Sequence, residues 1–391
     1  MKTLFNSICL IFLINLLSAQ NWQQSEGIPD TLWIYDIAVC DDYVFAATMY
    51  GIYRSSDYGI NWEPKNNGIN PENTNTRAFA KSGNRIYVAN MLGVFSSDDN
   101  GEHWSNMNLP YQNPALSVFA DDSILLAGVP GGGLYRSADY GETWFGVSGD
   151  HFYKIAKYQN FYFAGSWFDV LISDDHGVTW DYSGLSEITY WVINYMDSIY
   201  ACPFGGGLYK TSPLDIGWIY VVGIKQPVNG ISKAETGLFV VTSDNVYYKS
   251  GDNPEMGWQE LTTDNLPLSD GNYLWSIAVS DEYIIVGTQH NSGKGAGIWY
   301  CSLNDIPNSI NDTEANNETL IFPNPSGSVI NIDHFFAVER AYFEIIDQHG
   351  VVIKFGLLQE SFLDISILNK GIYYLKLISC EKISIHKFVV N

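Results

Sequence analysis

Basic residues are scarce. The 391-residue chain carries 20 Lys and Arg against 43 Asp and Glu, a net charge of −23 at pH 7. Such a field repels nucleic acid and anionic membrane, and no Lys/Arg cluster offsets it, so neither is an expected partner. Cysteine is scarce too: of five in the chain, Cys9 lies in the first apolar run, and Cys40, Cys202, Cys301 and Cys380 have no framework spacing. The seven His residues form no His-x-x-x-His pair and no Cys-x-x-Cys occurs, so no metal site is expected. There is no Gly-x-Ser-x-Gly elbow and no phosphate loop. The runs Gly131-Gly132-Gly133 and Gly205-Gly206-Gly207 read as turns. No cofactor is implied. Beyond Leu17 no apolar run is long enough for a membrane helix, so no membrane insertion is expected.

What the chain has instead is a repeat. Ser55-Ser56-Asp57-Tyr58-Gly59-Ile60-Asn61-Trp62 returns as Ser97 to Trp104, Ser137 to Trp144 and Ser173 to Trp180. A period near forty residues signals a repeat architecture. The Asp carboxylate suits backbone N–H groups in a tight turn, Gly supplies positive φ, and Trp opens the next strand with a large apolar surface. A short strand precedes each turn (Gly51–Ser55, Gly93–Ser97, Gly133–Ser137), making the unit a hairpin.

Following both strands past the clear copies gives the count. The strand before the turn recurs at 169–173, 207–211, 245–249 and 297–301, making seven, and the Trp-led strand occurs at Trp22, Trp62, Trp104, Trp144, Trp180, Trp218 and Trp258, again seven. The two series are offset: an orphan Trp strand opens the chain and an orphan pre-turn strand ends the series, so the two complete each other. Two further strands per repeat show as Ile37-Ala38 with 43–47, Phe79-Ala80 with 86–89, and Ile277-Ala278 with 283–287. The predicted fold is all-β: a seven-bladed β-propeller of four-stranded blades over residues 20–303, closed by the N-terminal strand. Blades five and six, at 212–218 and 250–258, lack the regular Asp turn. Cys40 and Cys301 fall in adjacent blades, which makes them the candidate disulfide pair.

The turn segments resemble the Asp-box (bacterial neuraminidase) repeat of sialidases, sortilin-type receptors, photosystem assembly-factor propellers and some xyloglucan-cleaving enzymes. That motif is a structural turn in all of them, so the resemblance implies a fold and no activity. It makes Asp57, Asp99, Asp139 and Asp175, with Trp62, Trp104, Trp144 and Trp180, structural residues.

The ends of the chain give an address. Met1-Lys2-Thr3, the apolar run Leu4–Leu17 and Ser18-Ala19-Gln20 read as a secretory signal over residues 1–19. Residues 304–319 have a linker composition. Residues 320–391 read as a small Ig-like β-sandwich. Its Phe322-Pro323-Asn324-Pro325 start, Asp347-x-x-Gly350 turn and Leu368-x-x-Gly371-x-Tyr373 strand resemble the type A C-terminal sorting domain of the type IX secretion system in Bacteroidetes. The resemblance implies outer-membrane translocation by that machinery as partner, followed by release or attachment at the surface.

A sialidase site resembles three Arg on a carboxylate, a Tyr–Glu pair and an acid Asp. The propeller has only Arg54, Arg77, Arg85 and Arg136. Only Arg77 falls where it can line the entrance, and the Phe/Tyr-Arg-Ile-Pro segment is absent. No catalytic residue is assigned. A glycoside hydrolase with an unrecognised carboxylate pair is the alternative, and Asp36 is the one inner-strand acid placed near the mouth. The loops at that mouth are rich in aromatics, which suit sugar stacking or anchoring of a protein partner. The candidate ligand-binding residues are Tyr35, Arg77, Tyr153, Trp167, Trp191, Asn229 and Trp275, with the loop 289–296 able to move over them. The expectation is a secreted or cell-surface monomer that binds a glycan or surface protein. Asp30-Thr31-Leu32, Asp122-Ser123-Ile124 and Asp197-Ser198-Ile199 resemble an O-glycosylation sequon of Bacteroidetes.

Overall fold

The structure, a computed structural model, describes residues 21–110, 114–212, 215–250, 257–268, 271–290 and 297–306. In the C-terminal part it describes 320–322, 329–333, 341–347, 352–358, 362–366, 368–379 and 383–390. The signal segment, most of the linker, the 291–296 part of the mobile-loop expectation, Pro323–Ser326 and Cys380 lie outside the described residues.

Each Ser-x-Asp-x-Gly turn closes on itself. The Ser55 hydroxyl donates to Asp57 Oδ1 (2.8 Å) and accepts from Gly59 N–H (2.8 Å), and Asp57 Oδ1 also accepts from Asn61 N–H (2.8 Å). The pattern repeats at Ser97 and Asp99, Ser137 and Asp139, and Ser173 and Asp175. In Asp99 and Asp175 burial pushes the carboxyl up, but hydrogen bonds from His103 and Thr179 respectively, helped by the Ser, outweigh it and hold each near a pKa of about 2. Glycine is required by shape as well as φ. Gly101 has φ +84°, and a Cβ there would lie 2.8 Å from Phe45 of the preceding sheet.

Among the described residues these four hairpins are the outer halves of the first four of seven four-stranded antiparallel sheets between Gln23 and Ser302. From the axis outward the first sheet runs Ile34–Cys40, Tyr43–Thr48, Gly51–Ser55 and Glu63–Pro64. The innermost strands of the next six begin at Thr76, Ser117, Phe152, Thr189, Gly230 and Asn272. Each contacts the next, and Asn272–Val279 contacts Ile34–Cys40, so they surround an axis. The last sheet draws on both ends of this region: Gln23 pairs with Tyr300 and Gln24 with Trp299. Trp22 is 2% exposed, and its indole N–H donates to Thr262 O at 2.8 Å. The all-β propeller expected from the repeats is the observed fold.

The core is distributed. Phe45, Ile52, Phe79, Val88 and Trp104 fill the space between the first two sheets, and a comparable cluster lies between every other adjacent pair. Two sequence expectations change. Trp218 does not lead its strand but lies inside Asp215–Val221, because without the Asp turn the hairpin tightens to a Ser212–Asp215 pairing. Cys40 and Cys301 are free and buried, so they do not pair; Cys202 is free and buried too.

The C-terminal part is a second all-antiparallel unit. Leu320–Phe322, Val329–Asp333 and Phe362–Asp364 form one sheet, and Val352–Leu358, Ala341–Asp347, Gly371–Ser379 and Ile383–Val390 form another. Alternate residues of the two sheets (Ile330, Ile332, Phe343, Ile345, Leu375, Phe388) share one buried cluster, the arrangement of a β-sandwich.

Candidate functional site

The site is made by irregularities in the innermost strands. Ile34 pairs with Thr48 and Asp36 with Ala47, leaving Tyr35 as an extra residue. Arg77 is extra between Thr76 and Ala78, Tyr190 between Thr189 and Trp191, and Trp275 between Leu274 and Ser276. In the fourth sheet Tyr153 and Lys154 both fall in the shift between Phe152 and Ile155. A β-bulge breaks the alternation of side chains and re-aims one of them. Here five bulges, all near strand starts, turn their side chains toward the axis at the same end of the ring.

They meet around a cavity of about 280 Å³ lined by Tyr35, Arg77, Tyr153, Tyr190, Trp191 and Trp275. Lys154, Ala78, Leu116 and Ser117 complete its wall. The Arg77 guanidinium lies over the Tyr35 ring, 3.9 Å from its centre, and Lys154 Nζ is 4.9 Å from the Trp191 ring centre. Tyr153 and Tyr190 meet edge to face at 4.6 Å, and Tyr190 meets Phe204 at 5.7 Å. Burial raises the Tyr35 phenol, with Arg77 opposing it, and burial pushes Tyr153 up to about 12. Both therefore stay neutral hydrogen-bonding groups at pH 7.

Beneath the mouth lies a floor. Lys154 Nζ is 2.7 Å from Asp36 Oδ2, a pair reaching from the fourth sheet to the first, and Asp36 also accepts the Phe79 N–H at 2.9 Å. Asp36 is 4% exposed. A second cavity of about 280 Å³ continues along the innermost strands past Ile37, Ile231, Lys233 and Ile277, sharing Lys154 and Trp191 with the mouth.

The sequence-predicted residues divide accordingly. Tyr35, Arg77, Tyr153, Trp191 and Trp275 line the mouth together. Trp167 stands beside it: its ring stacks on His151 at 4.6 Å and its indole N–H donates to the Tyr153 hydroxyl. Asn229 is not a lining residue. Its amide donates to Leu274 O at 2.7 Å and so ties the sixth sheet to the seventh. Lys154 was not among the predicted residues, although a lysine between two aromatics and an isoleucine near the start of an inner strand is its signal. Leu116 and Ser117 carry none. Asp36, the acid expected near the mouth, lies in the floor with its charge already paired.

Residues 320–391 match the family described as the secretion system C-terminal sorting domain. That is the type IX sorting domain, and it marks the chain for export to the cell surface or secretion and implies interaction with the secretion machinery. Among the described residues no helix is long and apolar enough to cross a membrane. No curated protein matches the chain. Among solved structures, YCF48 bound to a D1 peptide is 15% identical, with 72% of this chain and 96% of that one covered and a TM-score of 0.55. A GH74 xyloglucanase from Xanthomonas campestris is also 15% identical, covering 80% of this chain and 59% of its own, with a TM-score of 0.57. PorZ, a surface component of the type IX secretion system of Porphyromonas gingivalis, is 15% identical, covering 92% of this chain and 59% of its own, with a TM-score of 0.51. At such identities the likeness is one of fold.

Proposed function

We propose that the protein is an exported binding propeller that holds a glycan or a surface protein at its aromatic mouth. The observation that carries this reading is the convergence of five bulged strands on one cavity. A bulge disrupts the ladder locally, and here five of seven inner strands carry one at the same end. The side chains they turn inward are rings and cations, the groups that stack on sugar faces and anchor partners. The Ser-x-Asp-x-Gly turns take no part. Their carboxylates are used up in local hydrogen bonds, as in the Asp-box repeat they resemble. A protein of similar fold, YCF48, is known bound to a D1 peptide, which is in keeping with a binding role for such a fold.

The xyloglucanase neighbour keeps glycoside hydrolysis as the second reading. That chemistry needs two carboxyl groups facing one bond. The described lining of the mouth contains no Asp or Glu, and Asp36 below it is bound to Lys154 and the Phe79 N–H. This favours binding without turnover.

The test is a panel of glycans and peptides against the full chain and a Trp191→Ala/Trp275→Ala variant, with product analysis of every binding glycan. Binding lost in the variant, with the ligand recovered intact, is the expected result. Binding unchanged in the variant removes the mouth as the site, and shortened oligosaccharides establish hydrolysis instead.

A further inference from the structure

Arg77 differs from the other arginines of the propeller. Arg54 bonds to Glu63 and Glu102, Arg85 to Asp98, and Arg136 to the His176 carbonyl. Among the described residues the Arg77 guanidinium has no hydrogen-bond or ion-pair partner; its Nε is buried and unsatisfied, as is that of Arg54, whose Nη atoms are bonded. A buried donor left unmade is costly in free energy, and an arginine fork fits a carboxylate with two parallel bonds. Its closest described interaction is the Tyr35 ring face, which leaves the fork open to a ligand.

The chemistry of the whole mouth has the same sense. Arg77, Lys154 and the indoles of Trp191 and Trp275 supply donors only, while the phenols of Tyr35, Tyr153 and Tyr190 can act either way. No carboxylate, the one acceptor-only side chain, is among the described lining residues. In a chain of net charge −23 the mouth is thus a local cationic, donor-rich spot. A bound peptide brings one backbone N–H donor for every C=O acceptor, and of this wall only the phenols and the Ser117 hydroxyl can answer the donors. Sugar hydroxyls can turn to accept, and a pyranose presents a flat apolar face to a ring. A cavity of about 280 Å³ is at the small end for ligand sites and suits one sugar ring rather than a long segment.

We infer that the mouth takes a hexuronate residue of an acidic glycan, its carboxylate on the Arg77 fork and beside Lys154, its ring against Trp191 and Trp275. This rests on the mouth being the binding site. Lys154 then shares its charge between Asp36 and the ligand, which couples occupancy of the mouth to the floor pair.

The test is calorimetry on the full chain with hexuronate trimers of the gluco and galacto series, the same trimers with carboxyls reduced to hydroxymethyl groups, and an acidic peptide. Arg77→Met, Arg77→Lys and Trp275→Ala are run beside the wild type, each first checked for an unchanged melting curve. The expected result is that one acid trimer binds about tenfold or more tighter than its reduced form, the scale of a charged hydrogen bond. Arg77→Met brings it to the level of the reduced trimer, Arg77→Lys recovers only part because it lacks the fork, and Trp275→Ala weakens both. Equal binding of acid and reduced trimers overturns the charge inference and leaves the mouth as a sugar site. Acid binding that survives Arg77→Met overturns the placement. Preference for the acidic peptide overturns the sugar class, and no binding of any trimer overturns the inference outright.

Discussion

Removing the cation from the floor of the mouth costs more than removing the anion. In Lys154→Met the Asp36 carboxylate keeps its place between the sheets, its side chain 6% exposed, with only the Phe79 N–H as partner. Breaking a buried pair so that one charge is left behind costs about 3–5 kcal/mol. The Lys154 side chain is 24% exposed and one hydrogen bond to Asp36 survives, which puts this case at the lower end, about 3 kcal/mol. Asp36→Asn keeps an acceptor for the Phe79 N–H, and the lysine head it frees reaches the water of the mouth, so the cost is about 1 kcal/mol. In a chain of this size the first change lowers Tm by about 6 °C and the second by about 2 °C. With both substitutions together no charge is stranded, and the double variant is less destabilised than the sum by about 1 kcal/mol or more. Urea unfolding followed by tryptophan fluorescence measures all four proteins. Equal costs for the two single variants, or strict additivity in the double, refute the idea that a stranded carboxylate sets the energy.

Gly101→Ala is expected to destabilise by about 2–3 kcal/mol, because a Cβ meets Phe45 at 2.8 Å and φ is +84°. Gly83→Ala, at φ +57° with nothing within 4 Å of the new Cβ, costs about 1 kcal/mol, and paired thermal melts separate contact from dihedral. Stability falls on acidification as the turns lose their charge. Asp99, Asp139 and Asp175 are held at about 2, below the unfolded value of about 3.9, so their contribution is full above pH 4 and is lost as pH drops toward 2. Asp→Asn changes at these three positions flatten that part of a Tm-against-pH curve. Burial raises the Cys40 and Cys301 thiols to about 12 and raises Cys202 as well. All three resist iodoacetamide in the folded protein and label after denaturation, as intact-mass analysis of each state reports.

The repeat is legible in the sequence because its forces are local. The turn's hydrogen bonds join residues two or four apart, Ser55 to Asp57 and Asp57 to Asn61, so the same letters return wherever the same turn is made. The pairing of Gln23 with Tyr300 is long-range, yet it too was readable, since each strand series lacks the member that the other supplies. Where the letters were missing the reading slipped: without an Asp turn, nothing marked the tighter hairpin that carries Trp218 into the middle of Asp215–Val221. The sorting domain was legible for the same reason as the turns, since its motifs are short and contiguous.

The mouth was legible only in part. The strand starts identify Tyr35, Arg77, Tyr153, Trp191 and Trp275 as a set, and the ring brings them together. Asn229 occupies a matching position in the sequence, but the sixth sheet has no register shift near it, and its amide satisfies the Leu274 carbonyl instead. Lys154 meets Asp36 across 118 residues, a pairing with no local signature. Composition and spacing thus determined the strands, their turns and the address of the chain, because each is set by neighbours along the backbone. Which side chains face the axis, and which charges they meet there, depended on bulges that shift one register position and on the closure of sheets far apart in sequence. Only the tertiary structure decided that.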